Sequence, residues 1–86
     1  MAYNQPPKIT GYMPNAMHKD DERWIFSKLS SLPQNERVKV CDAYSNAFNA
    51  AFENEPLPHR KTGKARFAAN NRLRIYIAKK FAVFNK

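Results

Sequence analysis

Residues 59–86 read HRKTGKARFAANNRLRIYIAKKFAVFNK, a stretch with nine Lys/Arg and no Asp/Glu. Within it Ala65, Ala69, Leu73, Tyr76, Ile77 and Phe84 recur at three- and four-residue spacing, the signature of one apolar helix face. A helix over about residues 62–84 is expected, with Thr62 as a candidate cap. At roughly 100° per residue, Lys64, Arg72, Lys79 and Lys86 share one side, and Leu73, Ile77 and Phe84 lie almost opposite. Arg60 and Lys61 stand at the N-terminal approach to this basic side. Arg66 and Lys80 fall on the apolar side, where their stems can lie along hydrophobic surface or their charges can meet an acid such as Asp42, Glu53 or Glu55.

Working back from this segment, EPLPHRKTG (residues 55–63) reads as a linker, because Pro56 and Pro58 interrupt a preceding helix. That helix is expected over about residues 33–54, with Val38, Cys41, Tyr44, Phe48, Ala51 and Phe52 inward and Lys39, Asp42, Asn46, Asn49 and Glu53 outward. Proline suits its first turn, where a missing N–H costs nothing. A shorter helix over about residues 20–31 follows from KDDERWIF: Asp20 can cap, and Asp21 and Glu22 suit the positive end of the dipole. Trp24, Ile25, Phe26, Leu29 and Leu32 supply its apolar surface. Residues 1–17, broken by Pro6, Pro7, Gly11 and Pro14, read as an extended tail able to pack through Tyr3, Ile9 and Tyr12.

The fold class is therefore all-α. Two long helices form an antiparallel hairpin, a short first helix packs on it, and an extended tail precedes a single helical domain over residues 18–86. Eighty-six residues bound the core to a modest size.

Charge is divided along the chain. Residues 1–56 hold six Lys/Arg against seven Asp/Glu, a net of −1; residues 57–86 hold nine and none, a net of +9; together they make the +8 of the whole. Such asymmetry points to an anionic partner. A basic helix side matches a phosphate backbone, and the small side chains of ARFAANN (residues 65–71) keep the helix slim at a groove. Arg60, Lys61, Lys64, Arg72 and Lys79 are the candidates for phosphate contacts. Asn71 and Arg74 carry the side-chain types that pair with base edges. The competing reading is a solvated helix surface, but such a surface normally mixes both signs and gains i,i+4 pairs.

Phe67, Arg74 and Phe81 form a further line at seven-residue spacing beside the apolar side. Packing against the first helix is its plain interpretation. A second functional class is a protein-binding modulator in which Tyr12, Trp24, Phe67 and Phe81 serve as anchors and the basic side meets an acidic protein. A homodimer would double the basic surface.

Catalytic and metal chemistry find no support. The single cysteine, Cys41, lies on the expected buried side of its helix and reads as a small hydrophobe. His18 and His59 are far apart with no cysteine partners, so no metal site or cofactor is expected. Lys61-Thr62-Gly63 lacks the nucleophile motif that would make it part of a penicillin-binding site, and Gly63-Lys64 lacks the glycine-rich approach of a phosphate loop. The N-terminal residues have no apolar signal-peptide core, and the longest apolar run, 81–84, is too short for a bilayer. No membrane partner and a cytoplasmic location are expected.

Residues 35–81 resemble a pattern found in small accessory proteins of tailed phages and prophages, in which a Tyr-containing helix leads to an hR..GkAR..AN.RLR segment. The matching residues are Tyr44, His59, Arg60, Gly63, Ala65, Arg66, Ala69, Asn70, Arg72, Leu73 and Arg74. The resemblance implies a binder or inhibitor acting on host or phage nucleoprotein machinery in a host cytoplasm; it implies no enzymatic activity and assigns no functional residue.

Overall fold

The computed structural model describes residues 9–82. Expectations for Tyr3, Phe84, Lys86 and the rest of residues 1–8 and 83–86 lie outside the described residues. A single 3-10 turn, Lys19–Asp21, leads directly into helix α1 (Glu22–Leu29), followed by α2 (Gln34–Asn54) and α3 (Pro58–Ala82). The all-α class and the antiparallel hairpin of two long helices with a short helix packed on it are observed. Lys80 of α3 meets Glu36 early in α2, whereas Asn70 meets Tyr44 a little over two turns further along α2. Numbers falling on one helix as they rise on the other define the antiparallel sense.

Three helix starts differ from the sequence expectation, each for a local reason. Before α1, Asp20 does not cap; its backbone N–H donates to His18 Nδ1 at 3.0 Å, so the imidazole caps the 3-10 turn. Pro33 stands just outside α2, extended at ψ 154°, with its carbonyl accepting the Arg37 N–H at 2.8 Å. The largest difference is at α3, which begins at Pro58 and not near Thr62. The connection is only Glu55–Leu57. Pro58 is compatible with a first helical turn, where its fixed φ is already helical. The Leu57 carbonyl accepts from Arg60 N–H at 2.9 Å, and the Glu55 carboxylate accepts from Leu57 N–H at 3.2 Å.

The core is assembled from one stripe of each helix and the turn after α1: Ile25 and Leu29 of α1 with Leu32 just beyond it; Val40, Cys41 and Tyr44; Ala69 and Leu73. Ala65 is also fully buried. Alanine at 65 and 69 lets the α3 backbone come close to its neighbours, so a large side chain there would be overpacked. Trp24, Phe48, Tyr76 and Ile77 close the core at its margins. On α2 the buried stripe is rotated from expectation. Val40 is buried and Val38 is only half-buried, while Phe52 is exposed.

The rotation makes room for Arg37, a buried cation that draws in the segment before α1. Its Nε donates to the Tyr12 carbonyl and its Nη2 to the Thr10 carbonyl, both at 2.7 Å. The guanidinium also lies 5.8 Å from the Phe26 ring centroid. Tyr12 O–H donates to Asp42 at 3.1 Å, and Ala16 N–H donates to Ser45 Oγ at 3.2 Å. Residues 9–17 are thereby bound along α2. The buried arginine keeps its charge and is solvated by backbone carbonyls instead of being paired with a carboxylate, and these acceptors offset part of the cost of taking the cation out of water.

Candidate nucleic-acid interface

The nine cations of the last thirty residues fall into groups once the packing is known. Three are used internally. Arg66 holds Asp21 through two N–H···O bonds of 2.9 Å each. Lys80 meets Glu36 at 3.0 Å. Both reach acids other than Asp42, Glu53 and Glu55, because α1 and the first turn of α2, not the α2 C-terminus, lie against them. Lys61 is the third: its ammonium donates to the Glu55 carbonyl at 2.6 Å and the Phe52 carbonyl at 3.1 Å, 5.4 Å from the Phe52 ring centroid. These carbonyls are at the α2 C-terminus, where helix carbonyls lack N–H partners and the dipole attracts a cation. Lys61 is thus a cap on α2.

Arg74 stacks its guanidinium 5.3 Å from the Trp24 ring centroid. The plain interpretation of the Phe67–Arg74–Phe81 line, packing toward the first helix, holds for Arg74. Phe67 instead stands 73% exposed, and Phe81 is half-buried. Trp24 and Tyr12 pack against the core and are half-buried, which leaves Phe67 as the openly presented aromatic of that set.

Arg60, Lys64, Arg72 and Lys79 remain. All four are exposed, and none takes part in an ion pair formed among the described residues. From Arg60 to Lys79 they extend over about 28 Å of helix. Lys86, expected to continue the row, lies outside the described residues. Asn71 sits half-buried between them.

Arg72 also forms the rim of a groove between α2 and α3, of about 270 Å³, with Val40, Ala43, Tyr44 and Leu73 beneath and Lys39 and Tyr76 beside it. A second depression of about 300 Å³ adjoins it, lined by Ile75 and Lys79 and sharing Arg72 and Tyr76 with the first. The sequence reading missed this groove. Its signal was the alternation of Arg72 and Lys79 with Tyr76 on α3, which means nothing until Lys39 and Ala43 are placed opposite.

Behind this surface, the side chains that fix α3 in place form a closed set. Tyr44 O–H donates to Asn70 Oδ1, and Asn70 Nδ2 donates to Asp21 Oδ2 at 3.0 Å beside the Arg66 pair. The Arg66 hydrogen bonds hold the Asp21 carboxyl below its ordinary range, against the opposing effect of partial burial. Burial pushes the Tyr44 hydroxyl well above the usual phenol value, so it stays a neutral donor. Among the described residues no buried side-chain polar atom lacks a partner.

No group of three or more His, Cys, Asp or Glu among the described residues is placed to hold a metal ion. No helix among the described residues is long and apolar enough to cross a membrane. Comparison of the chain with protein-family models, with curated proteins and with solved structures returned no match.

Proposed function

We propose that this chain is a small basic nucleic-acid-binding accessory protein, of the phage type its second half resembles, whose α3 lays cations along a phosphate backbone. One observation carries the reading. The cations that the fold can use are tied to Asp21, Glu36 and the α2 carboxyl end, while Arg60, Lys64, Arg72 and Lys79 are left exposed on a single helix. Four phosphates neutralised on duplex DNA correspond to a log–log salt slope of about −3 to −4. Asn71 is positioned among these cations as a candidate for a base-edge contact. Arg74, stacked on Trp24, belongs to the margin of the surface.

The test is a titration with duplex DNA, single-stranded DNA and RNA between about 50 and 200 mM salt. Reversing Lys64, Arg72 and Lys79 to Glu should abolish binding while far-UV circular dichroism keeps its helical form. Binding that is indifferent to salt, or that survives the triple reversal, overturns the reading.

A second reading rests on Phe67, 73% exposed, and Ile75, 46% exposed, on the same helix. Large apolar side chains beside unpaired cations also suit an acidic protein partner, as for a modulator of a nucleic-acid-processing or defence complex. A stoichiometric partner retained after nuclease treatment, and lost on Phe67→Ala, favours this reading over the first.

A further inference from the structure

The groove between α2 and α3 has an apolar floor and a cationic rim, and each draws residues from both helices. Val40, Ala43 and Leu73 supply the floor; Lys39 from α2 and Arg72 from α3 stand at its edges. The two ends are bounded by pairs already described. Glu36, which lines the groove, is neutralised by Lys80 at 3.0 Å, and Tyr44 is anchored on Asn70. The site therefore offers apolar walls with net positive charge at the mouth. At about 270 Å³ it lies at the small end of ligand sites, with room for one planar heterocycle.

Tyr76 is the informative residue. It lines this groove and also the adjoining depression with Ile75 and Lys79. Its half-buried ring thus stands as a partition between two hollows, each carrying a cation of the proposed phosphate row: Arg72 at both and Lys79 at the second. An aromatic partition flanked by cations is what a single strand needs, because a base can stack on the ring while its phosphates meet the cations. A duplex cannot use the groove without unstacking a base, which costs free energy.

We infer that the α2–α3 groove receives an unpaired nucleobase against Tyr76, with Arg72 and Lys39 on the adjoining phosphates, so that the protein prefers single-stranded over duplex nucleic acid. This rests on the nucleic-acid reading above and specifies the form of its ligand. Stacking of one base corresponds to a preference of about tenfold.

Anisotropy titrations of the full chain with a labelled oligothymidylate and with a duplex of equal length test it. Wild type should bind the single strand about tenfold tighter. Ala43→Trp is the decisive variant: Ala43 is exposed and lines the groove, so the indole fills it without entering the core. It should reduce single-strand affinity to the duplex level and leave duplex affinity within about twofold. Tyr76→Ala should act in the same direction and Tyr76→Phe should retain the preference; should Tyr76→Ala lose helicity, Ala43→Trp alone decides. Equal affinity of wild type for the two ligands, or single-strand affinity unchanged in Ala43→Trp, overturns the groove assignment and leaves the phosphate-row reading intact. Binding of neither ligand overturns both.

Discussion

Arg66 grips Asp21 in a fork, Nε to Oδ2 and Nη2 to Oδ1, each at 2.9 Å, and so fastens the start of α1 to α3 across 45 residues of chain. Asn70 adds a third donor at 3.0 Å to the same carboxylate. Paired N–H donors on one carboxylate are among the stronger polar contacts available to a protein. Arg66 is partly open to water, with 36% of its side chain exposed, which lowers the worth of the pair.

Asp21→Asn should cost about 1–2 kcal/mol at neutral pH after that screening. The Arg66 hydrogen bonds lower the Asp21 carboxyl in the folded state. A depressed acid contributes stability that is fully present above its unfolded value, near 3.8, and is lost as pH falls through the folded value. Urea denaturation should therefore separate wild type from Asp21→Asn at neutral pH, and the gap should narrow as the pH is taken below the ordinary carboxylate range. A constant gap at all pH values would mean that the charge of Asp21 does not matter.

Lys61 and Lys64 stand three residues apart and should behave as opposites. Lys61→Met removes a cation from the α2 carbonyl end and should cost about 0.5–1.5 kcal/mol in stability. Nucleic-acid affinity should stay within about twofold, since this ammonium is committed to Glu55 and Phe52. Lys64→Met should leave the melting curve in place and flatten the salt slope by about one unit. Parallel thermal melts and salt titrations of the two variants make the comparison.

Gly11 has φ +85°, and a Cβ there would lie 2.8 Å from the Arg37 guanidinium. Gly11→Ala should destabilise by about 1–2 kcal/mol from the backbone alone. The larger consequence is at Arg37, which must move to admit the methyl group and so release the Thr10 and Tyr12 carbonyls. Amide hydrogen exchange over residues 9–17 should accelerate in this variant while α3 keeps its protection.

Cys41 is fully buried, and desolvation pushes its thiol up to about 11. The thiolate is the reactive form, so folded protein should resist a thiol reagent at neutral pH and react at once in urea. The labelling rate, followed in native buffer and in denaturant, reports global unfolding. Rapid labelling of native protein would contradict the buried placement.

Much of the fold was legible from the chain. The heptad-like recurrence of Ala65, Ala69, Leu73, Tyr76 and Ile77 marks the buried face of α3, and the apolar run of α1 marks its own. Helix ends were less legible because they turn on chemistry with two solutions. Pro58 both ends a preceding helix and starts a following one, and the short loop decides for the second. The α2 stripe was displaced because Arg37 is a polar residue in an inward position. Periodicity counts such a residue as solvent-facing, and only the Thr10 and Tyr12 carbonyls explain it.

At the site, the sequence by itself determined that the last thirty residues carry nine cations, no acids and a helical apolar face, and hence that positive charge accumulates on one element. Which cations remain for a ligand was decided by tertiary structure. Asp21 and Glu36 lie 45 and 44 residues from Arg66 and Lys80 and reach them only once the helices pack, and the Phe52 and Glu55 carbonyls, though near Lys61 in the chain, meet it only because the short loop folds α3 back on the end of α2. The groove beside Tyr76 likewise exists only between two helices. Charge and periodicity are properties of a single segment, whereas neutralisation and concavity need two surfaces, and the pairing of those surfaces is set by packing across the whole core.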